Sequence, residues 1–532
     1  DRSSTSVSPG SSTPSASSYD EIPYQSYAIA YTHPDRLATI GALFRVDAPD
    51  PARCRVLELG CARGDNVMAM ATTLPAASFL GVDGSARQIA EGERRRTRAG
   101  LDNVRLLAAD FTVVPEDLGE FDYVVCHGVY SWVAPETADL LLRLCRRHLA
   151  PRGIVYVSYN TYPGWHRKEM LRKMMGFHVR SLTKGTEKIQ QVRALAQFLA
   201  RFAREEGGTH LAVFEILADD LAGSEDSYVF HEYLEEQNRP IYFTEFVERA
   251  AAADQQYLAS AVNAKWDNNL PKEVVQALGP VKNRIVREQY LDYLCNRTFR
   301  RSLLCHAGVP RSESPAPDAV RGLFASSLVR PVRPEPDIAS DAPEEFGGFG
   351  CSHDEMVTTN APLVKAALTG LARRAPAFLS FDELWQIARP LVGEAEPASC
   401  EADLARVLLR CFLSDLVSLS RRAPSFALRP QERPRAAGLA RIQAAEDVWV
   451  TTLLHRIVQI DELDRFVLQR CDGTRSRGDL VQLLVSAVER EEFSLTGSDG
   501  LPVRDPERSR AFAVEGIEAS LERLAGKALL ME

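Results

Sequence analysis

The most informative chemistry in the sequence is the run Val56-Leu57-Glu58-Leu59-Gly60-Cys61-Ala62-Arg63-Gly64-Asp65-Asn66, an apolar strand that breaks into a glycine-containing turn and enters an alanine- and methionine-rich helix. Such a junction brings backbone N–H groups and a helix N-terminus to the carboxyl edge of a parallel sheet, where nucleotide-like ligands bind. A dinucleotide fingerprint would place glycine where Gly60, Ala62 and Asp65 stand, and Asp65 would face a pyrophosphate with the wrong sign. NAD is therefore disfavoured. Glu58, two residues before Gly60, suits a ligand that carries a positive charge and no phosphate, and S-adenosylmethionine has that character. Glu58, Gly60, Cys61 and Gly64 are read as its cradle. Asp83, with Gly84, ends the next strand, where a carboxylate accepts both ribose hydroxyls; that acid is shared by NAD and adenosylmethionine sites. Asp110-Phe111, at the end of a third strand, fits adenine, the acid on the exocyclic amine and the ring on its face.

These residues need a scaffold that brings strand ends together. Strands at 79–82, 104–108, 123–126 and 154–158 alternate with helices at 85–99 and 135–149, the rhythm of a parallel α/β sheet. A helix is expected over 36–44. From 166 to 238 the rhythm gives way to helical patterns alone, 188–205 and 211–221, which read as a lid insertion. It resumes with a helix at 243–253 and strands at 256–262 and 300–306, the last two fitting a closing antiparallel hairpin with 268–298 inserted between them.

The 532 residues allow roughly two to four domains. Apolar residues at 45% and charged residues at 25% are ordinary for a soluble globular protein, and no window reaches the ~18–20 uninterrupted apolar residues of a membrane span. A net charge of −9 argues against non-specific nucleic-acid or anionic-membrane binding. Ten cysteines are scattered without a CxxC pair, as expected of reduced thiols in a cytoplasmic protein with no zinc site. No metal is expected.

ELGCARG, VDGS, AADF, FDYVVCHGVYSWV and LAPRGIVYVSYNTYPGWH, in that order and spacing, resemble the successive motifs of a class I S-adenosylmethionine-dependent methyltransferase. The last two, with SYDEIPY near the start, resemble bacterial protein-lysine methyltransferases of the rickettsial outer-membrane-protein type, which carry a methyltransferase regulatory region after the catalytic core. The resemblance implies a Rossmann-like seven-stranded domain, S-adenosylmethionine as cofactor and protein lysine as acceptor. A small-molecule O- or N-methyltransferase, or a non-catalytic cofactor- or partner-binding protein on the same fold, are the alternatives. Asp65 in place of a glycine, Gly84 in place of a larger apolar residue and Ala28-Ile29 in place of Pro-Phe depart from the pattern.

Methyl transfer from a sulfonium needs positioning, desolvation and a deprotonated nucleophile rather than a triad. The natural lining is Cys126 to Trp132 and Tyr159 to Trp165, at the ends of strands four and five. Tyr159 and Asn160, a polar pair after an apolar strand, are the expected catalytic contacts. His127 has two readings, a general base or, with Gly128, a contact to the methionine part of the cofactor. Tyr130, Trp132, Tyr162 and Trp165 are expected to face the substrate, the two tryptophans reading equally as core aromatics. Tyr24 lies in the tyrosine-rich stretch 19–31, which reads equally as a surface segment with amphipathic rings or as a cap over the ligand; His231, with Glu232, reads as a solvated helical pair or as part of a lid that closes on the substrate.

The expected organisation is a disordered leader at 1–18, the methyltransferase domain at 19–308 with its lid at about 166–238, a linker at 309–350 with one strand near 322–328, and two mainly helical, winged-helix-like modules at 351–428 and 439–532. Three helices are expected in each, at 362–374, 380–391 and 401–414 and again at 461–469, 477–491 and 514–525. Lacking a basic cluster on 477–491, these modules are expected to offer a protein-contacting or homodimer-forming surface rather than one for nucleic acid.

Overall fold

The computed structural model describes residue 22 and residues 26–115, 117–208, 211–262, 270–348, 356–392, 397–494 and 505–532. The leader at 1–18 and Tyr24 lie outside these described residues. Seven strands form the central sheet: β1 (Arg55–Leu59), β2 (Ser78–Asp83), β3 (Val104–Ala108), β4 (Phe121–Cys126), β5 (Leu149–Asn160), β6 (Gln255–Ser260) and β7 (Phe299–His306). Their order is β3-β2-β1-β4-β5-β7-β6. The first five are parallel, and β7 runs antiparallel to both β5 and β6, which is the closing hairpin that the sequence leads one to expect.

Period-two alternation assigns the faces. Val56, Phe79, Tyr123, Val125, Tyr156 and Leu303 point one way, onto α1 (Pro34–Leu43) and α2 (Asp65–Thr73). Leu57, Leu59, Val82, Val124, Val157, Tyr159 and Leu304 point the other way, onto α4 (Pro135–Arg147) and α9 (Phe243–Ala252); α3 (Ala86–Ala99) lies between β2 and β3. Burial on both faces explains why these strands read as continuous apolar runs. The lid is a separate bundle of α5 (Trp165–Val179), α6 (Gly185–Glu206), α7 (Ala212–Ala222) and α8 (Asp226–Leu234), packed on its own apolar core of Leu171, Met175, Val192, Leu217 and Val229. Helices α10 (Lys272–Leu278) and α11 (Arg284–Leu294) fill the insertion between β6 and β7.

The stretch 309–350 is not a plain linker. It supplies β8 (Phe324–Ser326), β9 (Val329–Pro331) and β10 (Glu344–Gly348). Next come β11 (Met356–Thr359), α12 (Pro362–Arg374), β12 (Leu379–Ser380), α13 (Phe381–Val392), α14 (Pro397–Leu413) and β13 (Ser418–Ser420). Strand β8 pairs with β12 and β13, and β10 with β9 and β11. Fully buried Lys365 on α12 ties this stretch down, its Nζ donating to the carbonyls of Asp337, Ser340 and Ala342 at 2.7, 2.6 and 2.9 Å. The physical reason is that these strands are only two to five residues long in Pro- and Ser-rich surroundings, so they carry little local strand signal, and β8 pairs with the distant β12 and β13. Leu368, Trp385 and Phe412 join the same hydrophobic cluster as the sheet face under α1, so the catalytic sheet and this module share a core.

The last unit has its own core of Val450, Leu468, Leu480, Leu484, Ile517, Leu521 and Leu524. Around it stand β14 (Arg435–Ala436), α15 (Gly438–Glu446), the hairpin β15 (Trp449–Thr451) and β16 (Ile457–Gln459), α16 (Glu462–Arg470), α17 (Arg477–Glu489), α18 (Pro506–Gly526) and β17 (Leu530–Met531). The three expected helices are there; α15 and the hairpin are additions. Among the described residues no helix is long and apolar enough to cross a membrane, and no cluster of His, Cys, Asp and Glu could hold a metal.

Candidate active site

Strand β1 ends in a turn that only small residues allow. Gly60 has φ +78, and a Cβ there would come within 2.2 Å of Val129 Cγ2. Gly64 has φ +83 and packs on Leu106. Both conformations belong to the left-handed region that glycine adopts at no steric cost. Cys61 is a buried thiol that packs under the turn against Gly81. Asp83 reaches across from β2, accepting from the N–H of Ala62 at 2.8 Å and of Ser85 at 2.9 Å. It is half-buried beside exposed Gly84 at the carboxyl end of β2. Asp110 is exposed, caps the turn that follows β3 by accepting from Thr112 N at 2.8 Å, and stands beside half-buried Phe111.

Glu58 lies behind the turn and is 3% exposed. Its Oε1 accepts from Asn66 Nδ2 at 2.8 Å, while its Oε2 is buried with no hydrogen-bond partner among the described residues. Burial pushes this carboxyl up to about 7, against the Asn66 hydrogen bond, which lowers it. A buried carboxylate oxygen left without a donor has a cost that a bound cation offsets.

Asp65, the residue that looked out of place, is fully buried and ion-paired, with Arg63 Nε at 2.5 Å and Arg95 Nη1 at 3.2 Å. It opens α2 as an acid in the first turn, where the helix dipole favours it. The position therefore serves packing of the turn on α3 rather than a ligand.

The residues expected to carry chemistry at the ends of β4 and β5 separate into two groups. Tyr159 does not reach the site: it points into the core with Val157, stacks on Phe246 at 4.1 Å and bonds Ser302 Oγ through its hydroxyl at 3.0 Å. Alternation along β5 is the reason, since Tyr156, Ser158 and Asn160 take the opposite face. Asn160 is 4% exposed; its N–H donates to Ser131 Oγ at 2.9 Å and its carbonyl accepts from Ile241 N at 3.1 Å, which fixes the strand end against the segment after the lid. His127 shares a hydrogen bond of 2.9 Å with Tyr156 OH, and Gly128 N donates to Ser158 Oγ at 2.9 Å. Burial, helped by Arg301, lowers the His127 imidazole to about 3, so it is neutral near pH 7 and a poor proton acceptor. The general-base reading of His127 is set aside.

Tyr130 and Tyr162 do come together. With Glu169, Asn238, Arg239 and Glu245 they line a cavity of about 320 Å³ beside the ends of β4 and β5. Tyr162 donates to Glu169 Oε2 at 3.0 Å and stacks on His166 at 4.1 Å. Trp132 and Trp165 meet edge to face at 6.5 Å; Trp165 is fully buried, whereas Trp132 is half-buried under Arg172. Lys168 ties α5 to α8, sitting over the rings of Trp165 and Tyr228 and bonding Glu232 at 2.6 Å. His231 is buried; its Nε2 donates to the carbonyl of Ile22 at 2.6 Å, and its other nitrogen meets Glu235 at 3.2 Å. It clamps the lid to the N-terminal stretch instead of presenting a free ring to a substrate. The residue sequence reasoning missed is Asn66, which links Glu58 to Ile29, Thr32 and His455. It stands at the end of the glycine run, but nothing local marks an amide there as functional.

Three family models match separate parts of the chain: a "Methyltransferase domain" over 56–153, a "Predicted methyltransferase regulatory domain" over 225–306 and a "PKMT, C-terminal winged helix domain" over 432–529. Protein RP789 of Rickettsia prowazekii is 30% identical over 519 residues, covering 96% of this chain and 93% of that one. The chain belongs to the class I S-adenosylmethionine-dependent methyltransferases. A second Rickettsia prowazekii protein, RP028, is 40% identical to this methyltransferase over 244 residues, 44% of this chain and 93% of that one. The structure of PKMT2 from Rickettsia typhi in complex with AdoHcy aligns with the methyltransferase at a TM-score of 0.85 and 29% identity, covering 96% of this chain and 100% of that chain. The match spans the sheet, the lid and both C-terminal modules, so the architecture is shared as a whole.

Proposed function

We propose that this methyltransferase transfers the methyl group of S-adenosylmethionine to lysine side chains of a protein. What supports the cofactor part is the cradle itself: the glycine turn, Asp83 at the end of β2 where a carboxylate meets ribose hydroxyls, Asp110-Phe111 at the adenine end, and the unpartnered Oε2 of Glu58 for a cation. The cofactor supplies an electrophilic methyl on sulfur when bound. The chain's own residues supply position and dryness. Gly128, held by Ser158, and Asn160, held by Ser131, set the ends of β4 and β5 as a fixed floor. An incoming amine with a reference pKa near 10.4 must lose its proton, and with His127 neutral and weakly basic the structure favours desolvation beside the cofactor's cation over a dedicated base.

The cavity next to these strand ends supports an elongated side chain by its rings, Tyr130 and Tyr162; its charges are balanced, Glu169 and Glu245 standing with Arg239 and Arg249 and pairing with Lys173 and Arg249 at 2.9 Å. The observation that carries the lysine reading is the full-length likeness to a chain named PKMT2. Incubating the enzyme with methyl-labelled cofactor and either lysate protein or a metabolite extract tests it: label is expected in protein, and label found only in small molecules overturns the lysine reading in favour of a small-molecule methyltransferase.

Glu58 predicts a pH dependence. With its carboxyl at about 7 and Asp83 the nearest like charge, it is largely protonated below that value and then offers no negative charge to the cofactor's cation. Cofactor affinity is therefore expected to fall by up to about tenfold per pH unit as pH drops below 7, measured by calorimetric titration between pH 5.5 and 8. In Glu58→Gln this acid limb is expected to vanish, with weaker binding throughout.

A further inference from the structure

The buried polar chain behind the glycine turn does not end within the catalytic domain. Asn66 is 2% exposed in the first turn of α2. Its Oδ1 accepts from Ile29 N at 2.8 Å and from His455 Nε2 at 3.0 Å, while its Nδ2 donates to Glu58 Oε1 at 2.8 Å and to Thr32 Oγ1 at 3.0 Å. A backbone N–H can only donate and a carboxylate can only accept, so the orientation of the amide is unambiguous. His455 comes from the turn between β15 and β16, in the winged-helix domain matched over 432–529. It is 3% exposed and packs on His33 with ring centroids 5.1 Å apart. His33 in turn bonds Thr73 Oγ1 at 3.0 Å and caps α1. Burial lowers both imidazoles, His33 to about 4, so neither is charged near neutrality and each presents a single N–H.

We propose that the C-terminal winged-helix domain completes the cofactor cradle, with His455 as a positioning residue that fixes the Asn66 amide and, through it, the carboxylate of Glu58. This rests on the reading of Glu58 as the group that meets the cofactor's cation. Within a site shielded from water, a donor that fixes one end of an amide strengthens and orients the bond made at the other end. The winged-helix domain has other attachments that do not touch Asn66: Glu446 pairs with Arg95, and Gly438 lies so close to the carbonyl of Ala99 that a Cβ would come within 2.5 Å of it. These hold the domain in place, so docking and positioning can be separated.

The test is calorimetric titration of the full chain with S-adenosylmethionine, which carries both the sulfonium and the α-ammonium. Replacing the donor in His455→Ala is expected to weaken binding about tenfold, whereas His455→Gln, which keeps an N–H at the same reach, stays within about threefold of the wild type. Glu446→Ala, which cuts the neighbouring ion pairs to Arg95 and Arg98 without touching Asn66, is also expected within about threefold. In the transfer reaction His455→Ala should raise the KM for cofactor and leave kcat at saturation unchanged. Wild-type affinity in His455→Ala overturns the proposal, as does a loss in Glu446→Ala equal to that in His455→Ala, which would reduce the effect to domain docking. Should His455→Ala not fold, His455→Leu fills the same space without a donor and carries the same expectation. A wild type that binds nothing overturns instead the cofactor role given to Glu58.

Discussion

Asp83→Ala is expected to lower the affinity for S-adenosylmethionine by about 30- to 150-fold, the equivalent of roughly 2–3 kcal/mol for two hydrogen bonds to a charged acceptor. The carboxylate does two things at once. It holds the turn by accepting from Ala62 N and Ser85 N, and it ends β2 where a carboxylate accepts ribose hydroxyls. Alanine removes both, leaving the N–H of Ala62, a non-glycine residue at φ +52, without its acceptor. Asp83→Asn keeps one acceptor oxygen and is expected to fall between alanine and wild type. Calorimetric titration reads the affinity, and thermal unfolding confirms that the variants are folded. An unchanged affinity in Asp83→Ala would mean that adenosine does not sit over β2.

The second large effect concerns stability. Asp292 on α11 is fully buried and receives Arg300 in a two-pronged pair, Nε to Oδ2 at 2.7 Å and Nη2 to Oδ1 at 2.8 Å, with Arg297 Nε on the same Oδ1 at 2.6 Å. Arg300 belongs to β7, is 6% exposed and lies over the ring of Phe243, so its charge has few other partners; Glu288 is the nearest. Taking one member out of a buried pair costs about 3–5 kcal/mol, and the ion pair that Arg300 keeps to Glu288 at 3.0 Å offsets part of that loss here. For a unit of this size, Asp292→Ala is expected to lower the unfolding midpoint by roughly 6–20 °C. Adding Arg300→Met to Asp292→Ala should recover part of the loss, because the stranded charge is then gone. A midpoint that does not move in the single variant would contradict this account of how α11 is fastened to the sheet.

Much of the catalytic fold is legible in the sequence because each βα unit signals itself locally. The apolar strands, the turn at Gly60 and the acid ending β2 all stand where the residues place them. Three features escape for identifiable reasons. Tyr159 looks like half of a polar pair, yet sheet periodicity sends its side chain to the core with Val155 and Val157, leaving Asn160 alone at the ligand edge. Asp65 reads as a mismatch because the arginine that explains it, Arg95, lies on the next helix. The short strands in 309–350 have no pattern of their own: β9 and β10 pair across a Pro- and Ser-rich connection, and β8 is defined by distant partners, β12 and β13. Long-range polar contacts are the least legible of all: Asn66 and His455 stand 389 positions apart, and neither has a local signature.

The role of the C-terminal modules changes accordingly. Expected as surfaces for partners, they turn inward in part: one shares the core of the sheet, and the other places His455 behind the glycine turn and Glu446 against Arg95. The cofactor cradle is thus built from three distant parts of the chain, the N-terminal stretch at Ile29 to His33, the strand ends of the sheet and the winged-helix domain.

The most direct measurement is the chemical identity of the methylated residue. Proteins labelled by the enzyme and methyl-labelled S-adenosylmethionine would be digested and sequenced by mass spectrometry. Methyl groups are expected on lysine Nζ, with labelling at sub-saturating cofactor strongly reduced when Asp83 is replaced by alanine. Methyl groups on another side chain, or label confined to small molecules, would contradict the lysine reading.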